Sequence, residues 1–298
     1  MAVKLNEKAI LIKVNLKKWG GTKVDKTLSD EIANNHGTES KHYSVVKKLA
    51  NSSNLKAIKK IDGLIRTDCI YSGSGYRGFC HAWDNQGTYL LPIDAKAKFE
   101  KRFAEYRDDR EKHVKAFVKE YPDLINDARN NLGSTFNPDD FPPVDEIGDY
   151  FSCEVIKNPV PDTDDIRVNL SKDEIDELKA NAKAEHDAKV SEITGSVVDK
   201  IEGVLGHFSE KIKSGETFRD STLEKVVDLC DVLPSLNIAG DAKVHNAHQE
   251  LMDIFAGEGI TSANASDYAD SLRKDKDKAN ELANKTDKIV DDLGGWMD

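Results

Sequence analysis

The residues that could do chemistry in this chain are concentrated between Tyr71 and Trp83. Aromatic and basic side chains interleave there, at Tyr71, Tyr76, Arg77, Phe79, His81 and Trp83. Aromatic faces stack nucleic-acid bases while cationic side chains hold phosphates, which is how single strands are bound without sequence preference. Residues 1–60 add 13 Lys against 5 acidic residues, a net charge of +8. Together these features predict a nucleic-acid surface made of Lys13, Lys17, Lys18, Lys47, Lys48, Lys59, Lys60, Tyr76, Arg77 and Trp83.

The same aromatic residues have a second interpretation, in which their rings close the core of a small sheet. The glycines Gly73, Gly75 and Gly78 match the G-x-G-x-x-G pattern of dinucleotide sites. Such a site needs a helix that opens at the third glycine, so that its amides meet the pyrophosphate. Residues 79–83 read as a strand instead. The glycine pattern therefore predicts a hairpin turn.

Other groupings of metal-ligating or catalytic residues are incomplete. His245 and His248 are spaced to share one helix face, but no Cys or third His completes a metal site. Acidic residues from Asp162 onward begin like a calcium loop, yet Ile166 and Arg167 stand where a ligand and the turn glycine belong. No Ser/His/Asp set and no P-loop has supporting context. We therefore predict no catalytic residue, no metal site and no cofactor, and a protein that is not an enzyme.

Charge divides the chain into a basic front and an acidic back. Residues 1–121 hold 24 Lys/Arg and 15 Asp/Glu, a net charge of +9. Residues 122–298 hold 19 Lys/Arg and 39 Asp/Glu, a net charge of −20. The two halves are therefore expected to attract each other, a neighbouring subunit or a charged partner. The four cysteines lie far apart, and no apolar run is long enough for a membrane helix. These observations predict a cytoplasmic protein with reduced thiols and no membrane contact.

The longest helical pattern in the basic half covers residues 94–121. Its apolar side chains recur every three or four residues and lie on one stripe, at Phe99, Phe103, Tyr106, Val114, Phe117 and Tyr121. Arg110 interrupts the stripe, and Pro122 is expected to end the helix because proline disfavours helical geometry in the residue before it. We expect this helix to be the spine against which the rest of the chain packs.

The remaining N-terminal elements are shorter. Ala9–Lys17 alternates as a half-buried strand, with Ile10, Ile12, Val14 and Leu16 on the inner face. Helices are predicted over residues 24–34, 40–50 and 54–62, the last stopped by Gly63. Strands are predicted over residues 64–71, 79–83 and 88–93.

The C-terminal half is predicted to be helical after an irregular strap over residues 134–168. Ser171 and Glu174 form a capping box that opens a helix of some forty residues, either one long bent helix or two in line. Further helices are predicted over residues 217–233, 241–255 and 263–293, with Pro234 ending the first. The last has a thin apolar stripe typical of a coiled-coil seam or a docking helix. Its predicted interaction residues are Leu272, Leu282, Ile289 and Leu293.

These elements predict an α+β fold that is mostly α. A small antiparallel sheet with short helices is followed by the long spine helix and then by a helical, coiled-coil-like C-terminal part. The predicted domains are a basic α+β head (1–93), the spine helix with its proline- and aromatic-rich strap (94–168), and an acidic helical domain (169–298).

Short motifs follow one another in residues 85–240. Their residues are Leu90, Leu91, Pro92, Phe117, Tyr121, Pro122, Leu132, Gly133, Phe136, Asn137, Asp139, Asp140, Phe141, Pro142, Pro159, Pro161, Ile166, Arg167, Val168, Phe218, Arg219, Asp220, Ser221, Leu233, Pro234, Leu236, Asn237 and Ile238. In this order the motifs resemble an uncharacterised family of phages and mobile elements, a domain of unknown function. Genes of this family lie near those of a MoxR/CobS-like AAA+ ATPase and a von Willebrand A-type protein. The resemblance implies a non-enzymatic protein that works with an ATPase.

Three functional hypotheses follow. The first is an oligomer-forming adaptor of a phage or mobile element, whose partners are further copies of itself and the AAA+ ATPase. The second is a single-stranded nucleic-acid-binding or annealing protein that uses the basic N-terminal part. The third is a structural component of a virion.

Overall fold

Short strands and helices make up the first third of the chain, and helices make up most of the rest. The structure, a computed structural model, describes residues 3–71, 77–162, 171–215 and 217–294. Within them the strands are β1 (Ala9–Lys17), β2 (Thr22–Asp25), β3 (Val45–Lys48), β4 (His81–Ala82), β5 (Thr88–Pro92) and β6 (Ser152–Pro159). The helices are α1 (Leu5–Lys8), α2 (Lys26–Asn35), α3 (Ser53–Leu64), α4 (Ile93–Leu132), α5 (Lys172–Lys213), α6 (Asp220–Leu236), α7 (Ala242–Glu258), α8 (Ala265–Lys274) and α9 (Lys276–Leu293). The predicted fold class is confirmed: mostly α, with a small antiparallel sheet, a long helix and C-terminal helices.

Contacts within the chain define two units, each assembled from separate segments. Unit 1 consists of Met1–Lys13, Ile65–Phe103 and Ile156–Asp298, and unit 2 consists of Val14–Leu64 and Ala104–Val155. The sequence predicts three consecutive domains instead, and that division stays a prediction.

The sheet has the strand order β4-β5-β1-β6. Strands β1 and β5 pair antiparallel, with Ala9 opposite Pro92, and β4 pairs antiparallel with β5. The prediction that β1 buries only one face is wrong, because the adjacent residues Leu11 and Ile12 are both buried. Neighbouring residues on a strand point to opposite faces, so β1 is covered on both sides at this point.

The helices of unit 1 pack around α5. This is one continuous helix of 42 residues, opened by the predicted capping box, and it contacts α6 and α9. Its second half supplies the buried stripe Ile193, Val197, Ile201, Val204, Leu205, Phe208 and Ile212. A second buried cluster joins this helix to the sheet: Leu5, Ala9, Leu11, Leu90, Val160, Ile193 and Ile238.

Two predicted boundaries in the helical part are wrong. Residues 263–293 form α8 and α9 rather than one helix, because Asp275 takes an extended conformation and caps α9 through the amide of Lys278. Helix α6 continues through Pro234 to Leu236. Leu233 and Leu236 are fully buried, so packing holds the helix together where proline removes a backbone donor.

Unit 2 has an aromatic core. Trp19 lies 5.4 Å from Tyr121, 5.9 Å from Phe117 and 6.4 Å from Phe141, measured between ring centroids. The buried members of the cluster are Trp19, Leu49, Ile58, Val114, Phe117, Tyr121, Ala128, Phe141 and Ile147. The predicted strap contributes Phe141 and Ile147 through short 3₁₀ turns, while residues 163–168 of that prediction lie outside the described residues.

The predicted helix over residues 40–50 is wrong. A 3₁₀ turn at Ser40–His42 leads into β3, which pairs antiparallel with β2, and the helix predicted over residues 24–34 begins only at Lys26. The spacing of Tyr43, Val46 and Leu49 fits a helix, but cross-strand pairing decides the outcome because β-branched side chains fit a pleated surface.

The predicted strand over residues 64–71 is also wrong. Helix α3 passes through Gly63 to Leu64 and continues as a π-helix over Ile65–Ile70. Ile65, Cys69 and Ile70 are buried, a spacing that serves a wide helical turn as well as a strand.

The spine helix is longer than predicted. Helix α4 passes through Pro122 and ends at Leu132. Its predicted stripe is confirmed at Phe99, Phe103, Val114, Phe117 and Tyr121, which are buried, while Tyr106 is half-buried. The hydroxyl of Tyr121 also donates to the carbonyl oxygen of Pro142 at 3.0 Å. These contacts on the preceding turn offset the cost of proline inside the helix, about 3 kcal/mol.

Candidate functional site

The structure divides the predicted nucleic-acid residues into exposed and paired groups. The exposed ones are Lys13, Lys17, Lys48, Lys59 and Lys60. Lys18, Lys47 and Arg77 form ion pairs with acidic side chains of the same chain. Tyr76 lies outside the described residues. The predicted surface is thus reduced to scattered lysines, and nucleic-acid binding stays a prediction.

Lys47 is the most firmly held of these lysines. Its side chain is 10% exposed, and its Nζ lies 2.7 Å from Asp140 Oδ2 and 3.3 Å from Asp25 Oδ2. The Nζ also donates to the carbonyl oxygen of Thr135 at 3.1 Å. The carboxylates of Asp140 and Asp25 together raise the pKa of Lys47. A phosphate would have to displace two carboxylates to reach this amine, so Lys47 serves the fold.

Lys18 belongs to a buried ionic cluster in unit 2. Its Nζ donates to Asp62 Oδ2 at 2.7 Å, and Arg110 Nε donates to Asp62 Oδ1 at 2.7 Å. Arg110 also donates to the carbonyl oxygen of Lys17 at 2.6 Å. Asp62 and Arg110 are almost completely buried. The arginine that interrupts the apolar stripe of α4 is therefore the partner of a buried carboxylate.

The aromatic residues of the predicted surface belong largely to the interior of unit 1. Phe79 and His81 are each 1% exposed. Trp83 packs against the buried cluster of unit 1, and Lys189 Nζ lies 5.9 Å from its ring centroid. Tyr71 is 47% exposed. For Phe79 and His81, the interpretation that these side chains close a core is the one the structure supports.

The predicted docking seam of the last helix requires a correction. Leu272, Leu282, Ile289 and Leu293 are each at most 2% exposed. They lie on α8 and α9, and α9 packs against α5 and α7 of the same chain. These side chains are therefore not a free surface for a partner. The sequence left open whether the long C-terminal helices pack within one chain or between chains, and α5 and α9 pack within one chain.

An exposed apolar surface lies instead on the ribbon formed by β2 and β3. Val24 and Val46 are directly opposite each other, and each is 51% exposed. Thr22 and Lys48 form the next pair on the same face, two positions along each strand, because side chains alternate, and both are exposed. We call Thr22, Val24, Val46 and Lys48 the ribbon face. The helix that the sequence predicts over residues 40–50 would not form this face, which exists because Val45–Lys48 pairs with β2.

Unit 1 contains a second candidate, a cluster of polar groups around a buried lysine. Lys200 on α5 is 2% exposed, and its Nζ has no hydrogen-bond partner among the described atoms. A cavity of about 10 Å³ is lined by this lysine, Arg77, Lys225 and Asp228, with apolar side chains of α5 and α6 completing its wall. Arg77 Nε lies 2.6 Å from Asp228 Oδ2. We call these four residues the Lys200 cluster.

Burial shifts the pKa values of this region. It lowers the pKa of Lys200 to about 8, although the carboxylate of Asp228 acts in the opposite direction. Burial raises the pKa of Asp228, against the lowering effect of Arg77. Burial also lowers the pKa of His81 to about 4, and the charge of Lys200 contributes to that shift. The Nε2 of His81 donates to the carbonyl oxygen of Leu236 at 3.1 Å, which leaves Nδ1 as an unprotonated acceptor.

The sequence contains a signal for Lys200 that was missed. The lysine follows Val197 by three residues and precedes Val204 by four, so helical spacing places it inside the apolar stripe of α5. A lysine at such a position is expected to be buried.

Replacing Lys200 by methionine should stabilise the protein at pH 7. A fall of the pKa from 10.5 to about 8 corresponds to about 3 kcal/mol of lost stability while the amine is charged. The unfolded chain binds more protons between pH 8 and pH 10.5, so wild-type stability should rise across that window. Lys200→Met should raise the free energy of unfolding by about 3 kcal/mol at pH 7 and flatten this rise. Urea unfolding at several pH values measures both effects.

The matched control is Lys225→Met, which removes a half-buried lysine from the same cavity and should change stability much less. If Lys200→Met destabilises the protein at pH 7 and leaves the pH dependence intact, the amine is not buried in its charged form.

The described residues contain no group of three or more His, Cys, Asp or Glu side chains arranged to hold a metal ion. His245 and His248 thus gain no third ligand among the described residues. No described helix is both long enough and apolar enough to cross a membrane.

Fold and sites together define a mostly α protein of the α+β class, with a small antiparallel sheet, an exposed strand ribbon and a buried lysine cluster. Neither a protein-family model, nor a curated protein, nor a solved structure matches this chain.

Proposed function

We propose that this chain is a non-enzymatic interaction protein that binds an acidic partner protein through the ribbon face. The observation that carries the proposal is the exposure of Val24 and Val46, at 51% each, directly opposite each other on two paired strands. Cross-strand apolar pairs stabilise a sheet when they are covered. Here the pair is solvent-exposed, and burial under a partner would remove both side chains from water.

Charge complementarity specifies the kind of partner. Lys48 lies beside the valine pair on the ribbon face. Lys23 is on the opposite face of the ribbon, with a side chain that is 55% exposed and an Nζ 3.9 Å from Asp140 Oδ1. The surrounding segment, residues 1–60, carries a net charge of +8. A surface that combines an apolar centre with a basic rim fits an acidic protein surface with apolar residues at its middle.

More specifically, we propose that the protein is an oligomer-forming adaptor of a phage or mobile element that works with a MoxR/CobS-like AAA+ ATPase. The resemblance of residues 85–240 to that family supports this partner. Many of the motif residues are buried, among them Phe117, Tyr121, Phe141, Leu233 and Leu236. The motifs thus specify a scaffold, and the ribbon face lies outside them. In this proposal the ATPase or a second copy of the chain supplies the acidic surface.

Single-stranded nucleic-acid binding is the second candidate function. It is favoured by one observation: Lys59 and Lys60 are adjacent and exposed on α3, and Lys48 is exposed as well. Phosphate contacts would give an affinity that falls steeply with salt. The role of virion component remains a further proposal, which the presence of the chain in purified particles would test.

The double variant Val24→Ser/Val46→Ser should weaken partner binding by about tenfold or more, because each half-exposed valine loses about 1 kcal/mol of apolar burial. Calorimetry with the purified AAA+ ATPase measures hetero-association, and sedimentation velocity measures self-association. Val144→Ser is the matched control: this valine is 47% exposed in the same unit but belongs to neither strand of the ribbon. It should bind like the wild type.

Two results would overturn this assignment. Equal affinities of the double variant and the wild type for both the ATPase and a second copy would remove the ribbon face from the interface. Binding of a labelled single-stranded oligonucleotide that is lost in Lys59→Glu/Lys60→Glu, without any protein partner, would replace the proposal with the second candidate.

A further inference from the structure

Lys200 combines burial, an amine without a hydrogen-bond partner among the described residues and an adjoining cavity, and the proposed interaction function uses none of these. The lysine side chain lines the same cavity as the ion pair between Arg77 and Asp228. Burial disfavours the charged amine and lowers its pKa to about 8, so near that pH a large share of the amine is neutral and has a free lone pair. A neutral lysine amine is a nucleophile.

We propose that Lys200 is a modification site whose ε-amino group adds carbon dioxide and is held as a carbamate by Arg77. The lone pair of Nζ forms a bond to the carbon of CO₂, and the electrons of one C=O π bond move to its oxygen. The nitrogen then loses one proton, which passes to the carboxylate of Asp228 and on to water. The product is an N-carboxylate anion, and no oxidant, reductant or co-reactant is needed.

The size of the cavity determines the class of electrophile. A volume of about 10 Å³ is close to the minimum that admits a single water molecule. CO₂ exceeds that volume but is far smaller than an acyl thioester or a sugar aldehyde, so it requires the least opening of the cavity. The carboxylate formed needs more room than the cavity offers. The cavity mouth can supply it, because the side chain of Arg77 is 39% exposed and Lys225 is only half-buried.

The charges of the Lys200 cluster suit an anion on Nζ. With Lys200 neutral, Arg77 and Lys225 contribute two positive charges to the cavity wall and Asp228 contributes one negative charge. A carbamate would neutralise the remaining net positive charge. Its two oxygens offer Arg77 a planar acceptor of the kind that guanidinium groups bind in bidentate fashion. Glu224 lies 3.7 Å from the outer side of Arg77, and its side chain is 40% exposed, so solvent screens it. While Asp228 is protonated during the step, its side chain does not repel the carbamate that is forming on Lys200.

Carbon-13 NMR of the full chain with ¹³C-labelled bicarbonate at pH 8 tests the proposal. One carbamate signal is expected, and alkylative trapping followed by peptide mass spectrometry should place it on Lys200. Lys200→Met should lose the signal and stay folded, which a thermal melt verifies. Lys225→Met should keep it. Arg77→Met should lower the occupancy about tenfold, the effect of one charge-assisted hydrogen-bonded partner.

Absence of a carbamate signal in the folded wild-type protein would overturn the proposal. So would a signal that persists in Lys200→Met, since it would belong to a surface amine or to the N-terminus. Neither result bears on the ribbon face, because the Val24→Ser/Val46→Ser experiment uses a different surface and a different measurement.

Discussion

Arg110→Met should lower the free energy of unfolding by about 3–5 kcal/mol, because it leaves the carboxylate of Asp62 buried without its main partner. The guanidinium and carboxylate are 3% and 2% exposed, and their Nε–Oδ1 distance is 2.7 Å. Of the described residues, Lys18 alone would remain to balance Asp62, and that lysine side chain is 29% exposed. Chemical denaturation of wild type and variant measures the difference directly.

The double variant Arg110→Met/Asp62→Leu distinguishes an unpaired charge from lost packing. Removing both partners of a buried pair is often neutral or stabilising, so the double variant should recover most of the stability lost by Arg110→Met. Arg107→Met is the matched control on the same helix, since that arginine is 51% exposed and should change stability by less than about 1 kcal/mol. A double variant as unstable as Arg110→Met would show that the arginine acts through packing alone.

Phe117→Ala should also cost about 3–5 kcal/mol, because it opens a cavity in the aromatic core of unit 2. Phe117 is fully buried, and its ring centroid lies 5.9 Å from that of Trp19, 5.7 Å from that of Tyr121 and 5.4 Å from that of Phe151. Denaturation followed by tryptophan fluorescence is suitable because Trp19 reports on this core.

Tyr150→Ala is the control for Phe117→Ala. Tyr150 is an aromatic residue of the same unit that is 44% exposed, and its loss should cost less than about 1 kcal/mol. If Phe117→Ala costs no more than this control, α4 is not the spine of unit 2.

Local sequence signals correctly predicted those features of the helices that depend only on residues a few positions apart. The capping box of Ser171 and Glu174 is present as predicted, and the helix predicted from residue 241 begins with Asp241 as its cap. The apolar stripe of α4 is buried as its spacing indicates. Caps join residues three apart and a stripe repeats every three or four, so neither depends on the rest of the chain.

Residues that predict the end of a helix were less dependable than residues that predict its start. Gly63, Pro122 and Pro234 each predict an end, and the helices α3, α4 and α6 pass through all three. The penalty of each residue is a few kcal/mol at most. The free energy gained by burying apolar side chains on both sides of the residue is of similar size. A short stretch of sequence does not show how much of that burial the tertiary structure will supply.

By itself the sequence determined that this protein is mostly α, where most of its helices lie and that its front is basic. Only the tertiary structure decided which charges are free. Lys47 is neutralised by Asp140, Arg77 by Asp228 and Asp62 by Arg110, all partners distant in the sequence. The tertiary structure also left the Val24–Val46 pair exposed and buried Lys200. Composition records how many charges a chain has, but pairing and burial depend on which residues the fold brings within a few ångströms of each other.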